Sequence, residues 1–211
     1  GAASYGGAIM SNDSNITLNK TIFTGNSAPS KSGGAVYLSG GHNSIIDANF
    51  SLNTSDWGGA LYLNDSNLTL SNSYLARNSA TASSGGAIYL NENSSGSFTN
   101  NDFKFNSATW GGAIMAKCPS LEIDGGVFLG NHANYGGGVA TQGSVSSSFS
   151  NVRILGNEAN ATASAQGGFA YFNTGSTGST FVNCVISGNK SLGRNGVFRP
   201  LGITRFVNCS I

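Results

Sequence analysis

Charged side chains make up only 9% of the 211 residues, and the formal net charge is +1. An ordinary soluble domain carries roughly 25% charged residues. No run of Lys or Arg is present, so the electrostatic footprint of a nucleic-acid or anionic-membrane partner is missing. No apolar run approaches the ~20 residues that a membrane-spanning helix needs. The first residues hold no charged n-region followed by an apolar h-region, so no signal peptide is read. Three cysteines are too few for a disulfide scaffold. What is plentiful is small and polar: 31 Gly, 26 Asn, 32 Ser and 14 Thr. That bias alone would fit a disordered chain, but 39% hydrophobic and 10% aromatic content argues for a folded, β-biased one.

The chain repeats. A Gly-Gly pair opens an apolar run at Gly6, Gly33, Gly58, Gly85, Gly111, Gly136 and Gly167, with spacings of 25 to 31 residues. Between successive pairs, an aromatic or aliphatic residue stands three positions before an Asn: Phe23/Asn26, Phe50/Asn53, Leu75/Asn78, Phe103/Asn106, Phe128/Asn131, Ile154/Asn157 and Ile186/Asn189. Each unit holds three short β-type segments separated by Gly, Asn or Ser, and none is long enough for a helix. Three strands and three turns in about 26 residues predict one coil of a parallel β-helix, an all-β solenoid. About eight such coils at the ~4.8 Å strand spacing predict a rod about 40 Å long.

Side chains alternate along a strand, so one parity class of the Gly-Gly run faces inward. Val36/Leu38, Leu61/Leu63, Ile88/Leu90 and Ile114/Ala116 form the more aliphatic class and are assigned to the core. That leaves Tyr37, Tyr62, Tyr89 and, further along, Tyr171 as an outward aromatic contact stripe. The opposite register, with the tyrosines inward or under a loop, stays open. The Gly-Gly pair implies a turn with positive φ or close approach of stacked coils. The recurrent Asn series from Asn26 to Asn189 predicts a structural amide ladder, since Asn tolerates the left-handed region and its amide bonds to its equivalent one coil away. A second series before the apolar anchor holds Asn72, Asn100, Asn151, Asn183 and Asn208, with Asp47 and Gly125 substituting. Tyr5, Trp57, Trp110 and Tyr135 directly precede a Gly-Gly pair and are expected to pack over a tight corner, where loop length varies. The match of Asn208–Ile211 to Asn183–Ile186 gives the expectation that residues 1–211, a single β-helix segment, are a portion of a longer array.

With Gly-Gly-Ala-Ile kept verbatim at three places and Phe-x-x-Asn at four, the chain resembles the polymorphic membrane protein repeat family over nearly its whole length. The unit GGFAYF departs most. The resemblance implies a right-handed parallel β-helix at a cell surface, acting in adhesion or as an extended structural element. That family's outer-membrane barrel has no counterpart in these residues, so bacterial autotransport does not follow.

Parallel β-helices also carry polysaccharide-cleaving sites, which need clustered carboxylates or basic groups on one face. No acid here falls on an acid at the equivalent position of the next coil, and His42 and His132 lie far apart in sequence. No Cys-x-x-Cys, His pair or Gly-rich calcium repeat points to a metal, so neither catalysis, metal nor cofactor is expected. Cys184 and Cys209 are 25 apart on the same rung of successive coils, where a disulfide and two buried thiols fit equally well. An ice-binding face would need a regular Thr array, and Thr17 and Thr69 do not continue as Thr into adjacent coils. Eleven Asn-x-Ser/Thr sequons occur, about twice the number that composition alone yields. Asn15, Asn67, Asn93 and Asn160 are the expected glycan positions, because parity or loop placement turns them outward. The resulting expectation is a non-enzymatic extracellular or cell-surface rod whose partner is a surface protein, a glycan, or further copies of itself in a filament or coat.

Overall fold

The computed structural model describes residues 5–161, 165–173, 175–193, 196–200 and 202–211. Every strand pair is parallel, and the strands stack in three long sheets of 8, 8 and 7 strands. The first sheet begins with Ile9–Asn12, Val36–Ser39 and Leu61–Asn64 and ends at Phe198–Arg199. The second runs from Thr17–Asn19 through Asn67–Ser71 to Ile203–Val207, and the third from Ile22–Thr24 to Val185–Ser187. The chain thus makes seven complete turns and part of an eighth, with no helix among the described residues.

One element departs from the expected three strands per coil. The polar stretch after each ladder Asn forms a fourth, short strand in most turns, as in Ser27–Ser32, Thr54–Trp57 and Ser79–Ser84, and again in His132–Ala133, Glu158–Ala159 and Lys190–Ser191. These segments lack the large apolar alternation of the other strands, their inward positions being Ala or Ser. Ala28, Ser55, Ala80, Ala133 and Ala159 point inward there and are buried. Their pairing is carried by the backbone, as in Thr54 N–H to Asn26 O at 2.9 Å and Ser79 N–H to Asn53 O at 2.9 Å.

The interior is one continuous apolar column. Val36, Leu61, Ile88, Ile114 and Val139 share a rung of the first sheet and are buried completely. The second sheet contributes Ile45, Leu70, Phe98, Ile123, Phe149 and Phe181, and the third contributes Phe23, Phe50, Leu75, Phe103 and Phe128. Identical residues on neighbouring rungs stack face to face: Phe23 on Phe50 at 4.8 Å and Phe149 on Phe181 at 4.7 Å. Each such ring meets its copy one strand spacing away, which favours like residues on neighbouring rungs, with Leu75, Ile154 and Ile186 filling the same rung elsewhere.

The two glycines of each pair serve different needs. The first is left-handed at every repeat, with φ between +56° and +71°. The second is not, yet a Cβ there would overlap backbone of the adjacent coil. At Gly34 it would strike the Gly59 carbonyl oxygen and lie 2.7 Å from the Thr54 nitrogen.

Left-handed geometry also falls beside the ladder Asn rather than on it. The preceding residue adopts it: Gly25, Gly130, Gly156 and Gly188, but also Leu52, Arg77 and Phe105, at φ 59°, 54° and 55°. An L-residue pays roughly 1–2 kcal/mol there, while glycine has more freedom to lose from the unfolded chain. Arg77 is exposed, so Arg77→Gly is expected to raise stability by about 0.5–1 kcal/mol, seen as a higher urea midpoint.

Candidate functional site

Tyr37, Tyr62 and Tyr89 occupy consecutive rungs of the first sheet, on the face opposite Val36, Leu61 and Ile88. Their rings stack at 5.3 and 5.0 Å, within 4° and 9° of parallel. The rung continues through Met115 and Ala140 to Tyr171. These side chains lie outside the main core but do not form a bare stripe. Tyr37 and Tyr62 are half-buried, whereas Tyr89 and Tyr171 are only 5% and 6% exposed. The corner residues before the Gly-Gly pairs cover them. Trp110 stacks on Tyr135 at 4.1 Å, and both turn edges against Tyr171 at 5.3 and 5.4 Å. Ala140 leaves that part of the row empty of side chain, and the larger rings fold over it. The structure therefore corrects the contact stripe: its accessible part is Tyr37 and Tyr62 with Tyr5 and Trp57, while Tyr89 and Tyr171 belong to a second, smaller apolar cluster.

The corner series thus shares one surface with the tyrosine row, a link that its sequence position beside each Gly-Gly pair does not disclose. Cations lie over the band: Lys31 above Tyr5 at 5.3 Å, Lys117 above Tyr89 at 5.9 Å and Arg199 above Tyr171 at 4.4 Å. Burial raises the phenol pKa of Tyr37 and Tyr62, and neighbouring phenols add to it. Tyr89 is pushed up to about 12 by burial first and by the charge of Glu92 second. The folded state therefore keeps a proton that the unfolded phenol releases near 10.0. The associated stability is whole below pH 10, and it is lost as pH rises through about 12. The urea midpoint should be flat up to about pH 10 and then fall, with a shallower fall in Tyr89→Phe.

All seven ladder asparagines are brought together. Asn26, Asn53, Asn78, Asn106 and Asn131 each donate backbone N–H and side-chain Nδ2 to Oδ1 of the next Asn at 2.9–3.0 Å, and Asn157 does so to Asn189 at 2.8 Å. From Asn53 onward Nδ2 also reaches a carbonyl one coil back, as in Asn106 to Leu75 O at 2.9 Å. Asn53 through Asn157 are fully buried. This array satisfies backbone groups at a buried corner, and its buried members from Asn53 to Asn157 spend both amide atoms on it.

The remaining sites are scattered. Asn15 and Asn93 are exposed, and Asn67 and Asn160 are half-buried. Asn15 accepts His42 N–H at 2.7 Å, Asn67 Oδ1 accepts the Ser95 hydroxyl at 2.6 Å, and Asn93 donates to Asp65 at 3.0 Å. Cys184 and Cys209 are free thiols rather than a disulfide. Each sulfur turns to backbone carbonyls instead, Cys184 to Val182 at 3.4 Å and Cys209 to Phe181 at 3.4 Å. Cys118 is buried, and burial lifts its pKa to about 11.

Three of the carboxylates are engaged locally. Asp102 pairs with Lys104 at 2.7 Å and Glu158 with Lys190 at 3.0 Å. Asp124 accepts the Ser150 hydroxyl and the Asn151 amide at 2.7 Å each, which holds its pKa below the usual value. Among the described residues no group of three His, Cys, Asp or Glu is placed to hold a metal. The outward rung of the second sheet reads Thr17, Ser44, Thr69, Ser97, Glu122, Ser148, Thr180 and Arg205. Hydroxyls continue where threonine does not, with Glu122 and Arg205 breaking the row.

Stacked parallel strands, one coil per repeat and an interior amide ladder define a parallel β-solenoid. Residues 2–128 match the family described as right handed beta helix region. The chain belongs to that family. Comparison with curated proteins and with solved structures returned no match.

Proposed function

We propose that this chain is a non-enzymatic extracellular or cell-surface rod that works in adhesion or as a structural element, with the Tyr/Trp band as its contact surface. The band carries the reading. A stacked aromatic row outside the core, half open to solvent at Tyr5, Tyr37, Trp57 and Tyr62, offers flat apolar faces with polar rims, the composition of interface hot spots. The resemblance of the repeats to polymorphic membrane proteins supports the surface location. The local engagement of Asp102, Asp124 and Glu158 in hydrogen bonds and ion pairs supports a scaffold role over catalysis.

A second reading, lateral packing in a filament or coat, draws on Ile22 and Tyr74 on the third sheet and Leu52 and Phe105 at the next corner, all of them exposed. The test compares the protein with the double variant Tyr37→Ser/Tyr62→Ser, which spares the core. Unchanged circular dichroism with weakened attachment to cells or matrix supports the adhesive reading. Undiminished attachment overturns it, and sedimentation of the same pair shows whether self-association was what the band served.

A further inference from the structure

Over its first five rungs the corner row alternates. Reading along the stacked bridges it runs Tyr5, Ser32, Trp57, Ser84, Trp110, so there a ring recurs at every second coil with a serine between, before Tyr135 follows Trp110 on the next coil and ends the alternation. Each serine opens a slot between two rings. The first, of about 260 Å³, lies at Ser32 between Tyr5 and Trp57 and is floored by Tyr37 and Tyr62. The second, of about 280 Å³, lies at Ser84 between Trp57 and Trp110, with Tyr89 as its floor and Lys117, Gln142 and Asn173 at its side. Trp57 is the shared wall and is 38% exposed.

We propose that these slots bind an extended, neutral β-1,4-linked glycan lying along the rod axis. The inference rests on the band being a contact surface, and it names the class of ligand. Rings two coils apart are separated by about 9.6 Å, close to the disaccharide repeat of such a glycan. In a β-1,4 chain each sugar is turned over relative to the last, so equivalent faces recur only at every second residue. A wall ring at every second coil therefore meets the same sugar face each time, and the intervening serine hydroxyls and amides lie beside the hydroxyl rims. The three rings span about 19 Å, enough to engage both slots with one short oligosaccharide. Lys31 lies over Tyr5 and Lys117 over Tyr89, while Asp65 acts on the neighbouring Tyr37 and Tyr62 and Glu92 on Tyr89, so cations and carboxylates alternate along the track and leave no single sign to select a uronate. α-1,4-Linked chains coil and cannot follow a straight row.

The chain has two tryptophans, and Trp57 and Trp110 both wall the slots, so intrinsic fluorescence reports this site directly. Titration with cellohexaose, xylohexaose and chitohexaose should change that fluorescence for at least one, with cellobiose, xylobiose or chitobiose far weaker and maltohexaose silent. Trp57→Ala should weaken binding roughly tenfold or more, with Trp57→Phe largely restoring it. Silence with all three β-1,4 hexasaccharides at millimolar concentration, or an equal response to maltohexaose, overturns the proposal. If attachment is still lost in Tyr37→Ser/Tyr62→Ser while the hexasaccharides stay silent, the contact surface stands and its ligand is not this glycan.

Discussion

Gly86→Ala is expected to abolish the native stack or to cost more than about 4 kcal/mol, the range reserved for severe core lesions. A Cβ at Gly86 would overlap the Gly112 carbonyl oxygen and lie 2.7 Å from both the nitrogen and the oxygen of Ser107. Those Ser107 atoms are already bonded, the nitrogen to Asn78 O at 3.0 Å and the oxygen to Ala80 N–H at 2.9 Å. Moving the backbone aside therefore breaks pairing between coils rather than displacing a flexible side chain. Gly25→Ala is the control, because its φ is +65° and nothing lies within 4 Å of the new Cβ. It should cost only about 1 kcal/mol. Urea midpoints of the two variants separate crowding from backbone conformation, and equal losses would refute the crowding account.

Asn106→Leu should be the next most damaging change, at about 3–5 kcal/mol. Asn106 Oδ1 accepts both Asn78 N–H and Asn78 Nδ2, and its own Nδ2 serves Leu75 O and Asn131 Oδ1. Leucine matches the volume but leaves two or three buried groups unpaired, each costing roughly 1–3 kcal/mol. Asn26, half-buried at the start of the ladder, should lose less in the same substitution. Thermal melts of both, with far-ultraviolet circular dichroism as the readout, test whether the penalty follows burial.

The coil period, the core parity and the ladder positions are legible in the amino-acid order because each is a repeated chemical choice: Val36, Leu61 and Ile88 on one rung, Asn78 and Asn106 on another. The fourth strand is not legible, since its inward positions Ala28, Ser55 and Ala80 are small and carry no apolar alternation, and the coils pair there through backbone. The left-handed residue is also hidden, because Leu52, Arg77 and Phe105 carry no mark of it. The second Asn series does carry one, with Asn72, Asn100, Asn151, Asn183 and Asn208 all at φ between 48° and 57°. Parity placed the tyrosines outside the core, but their cover comes from Trp110 and Tyr135, whose approach depends on how the corner turns.

Because each coil's strands pair only with those of the turns before and after it, the rod has an unusual response to tension. Peeling one coil of 25–31 residues shortens the folded stack by about 4.8 Å and releases roughly 90 Å of extended chain. Under load, the molecule would lengthen in discrete increments roughly twentyfold larger than the segment it surrenders, while the coils still folded keep their contacts intact. A stack built this way would yield length one coil at a time under a sudden pull, each coil presenting its Asn and Gly-Gly positions as the template for the next.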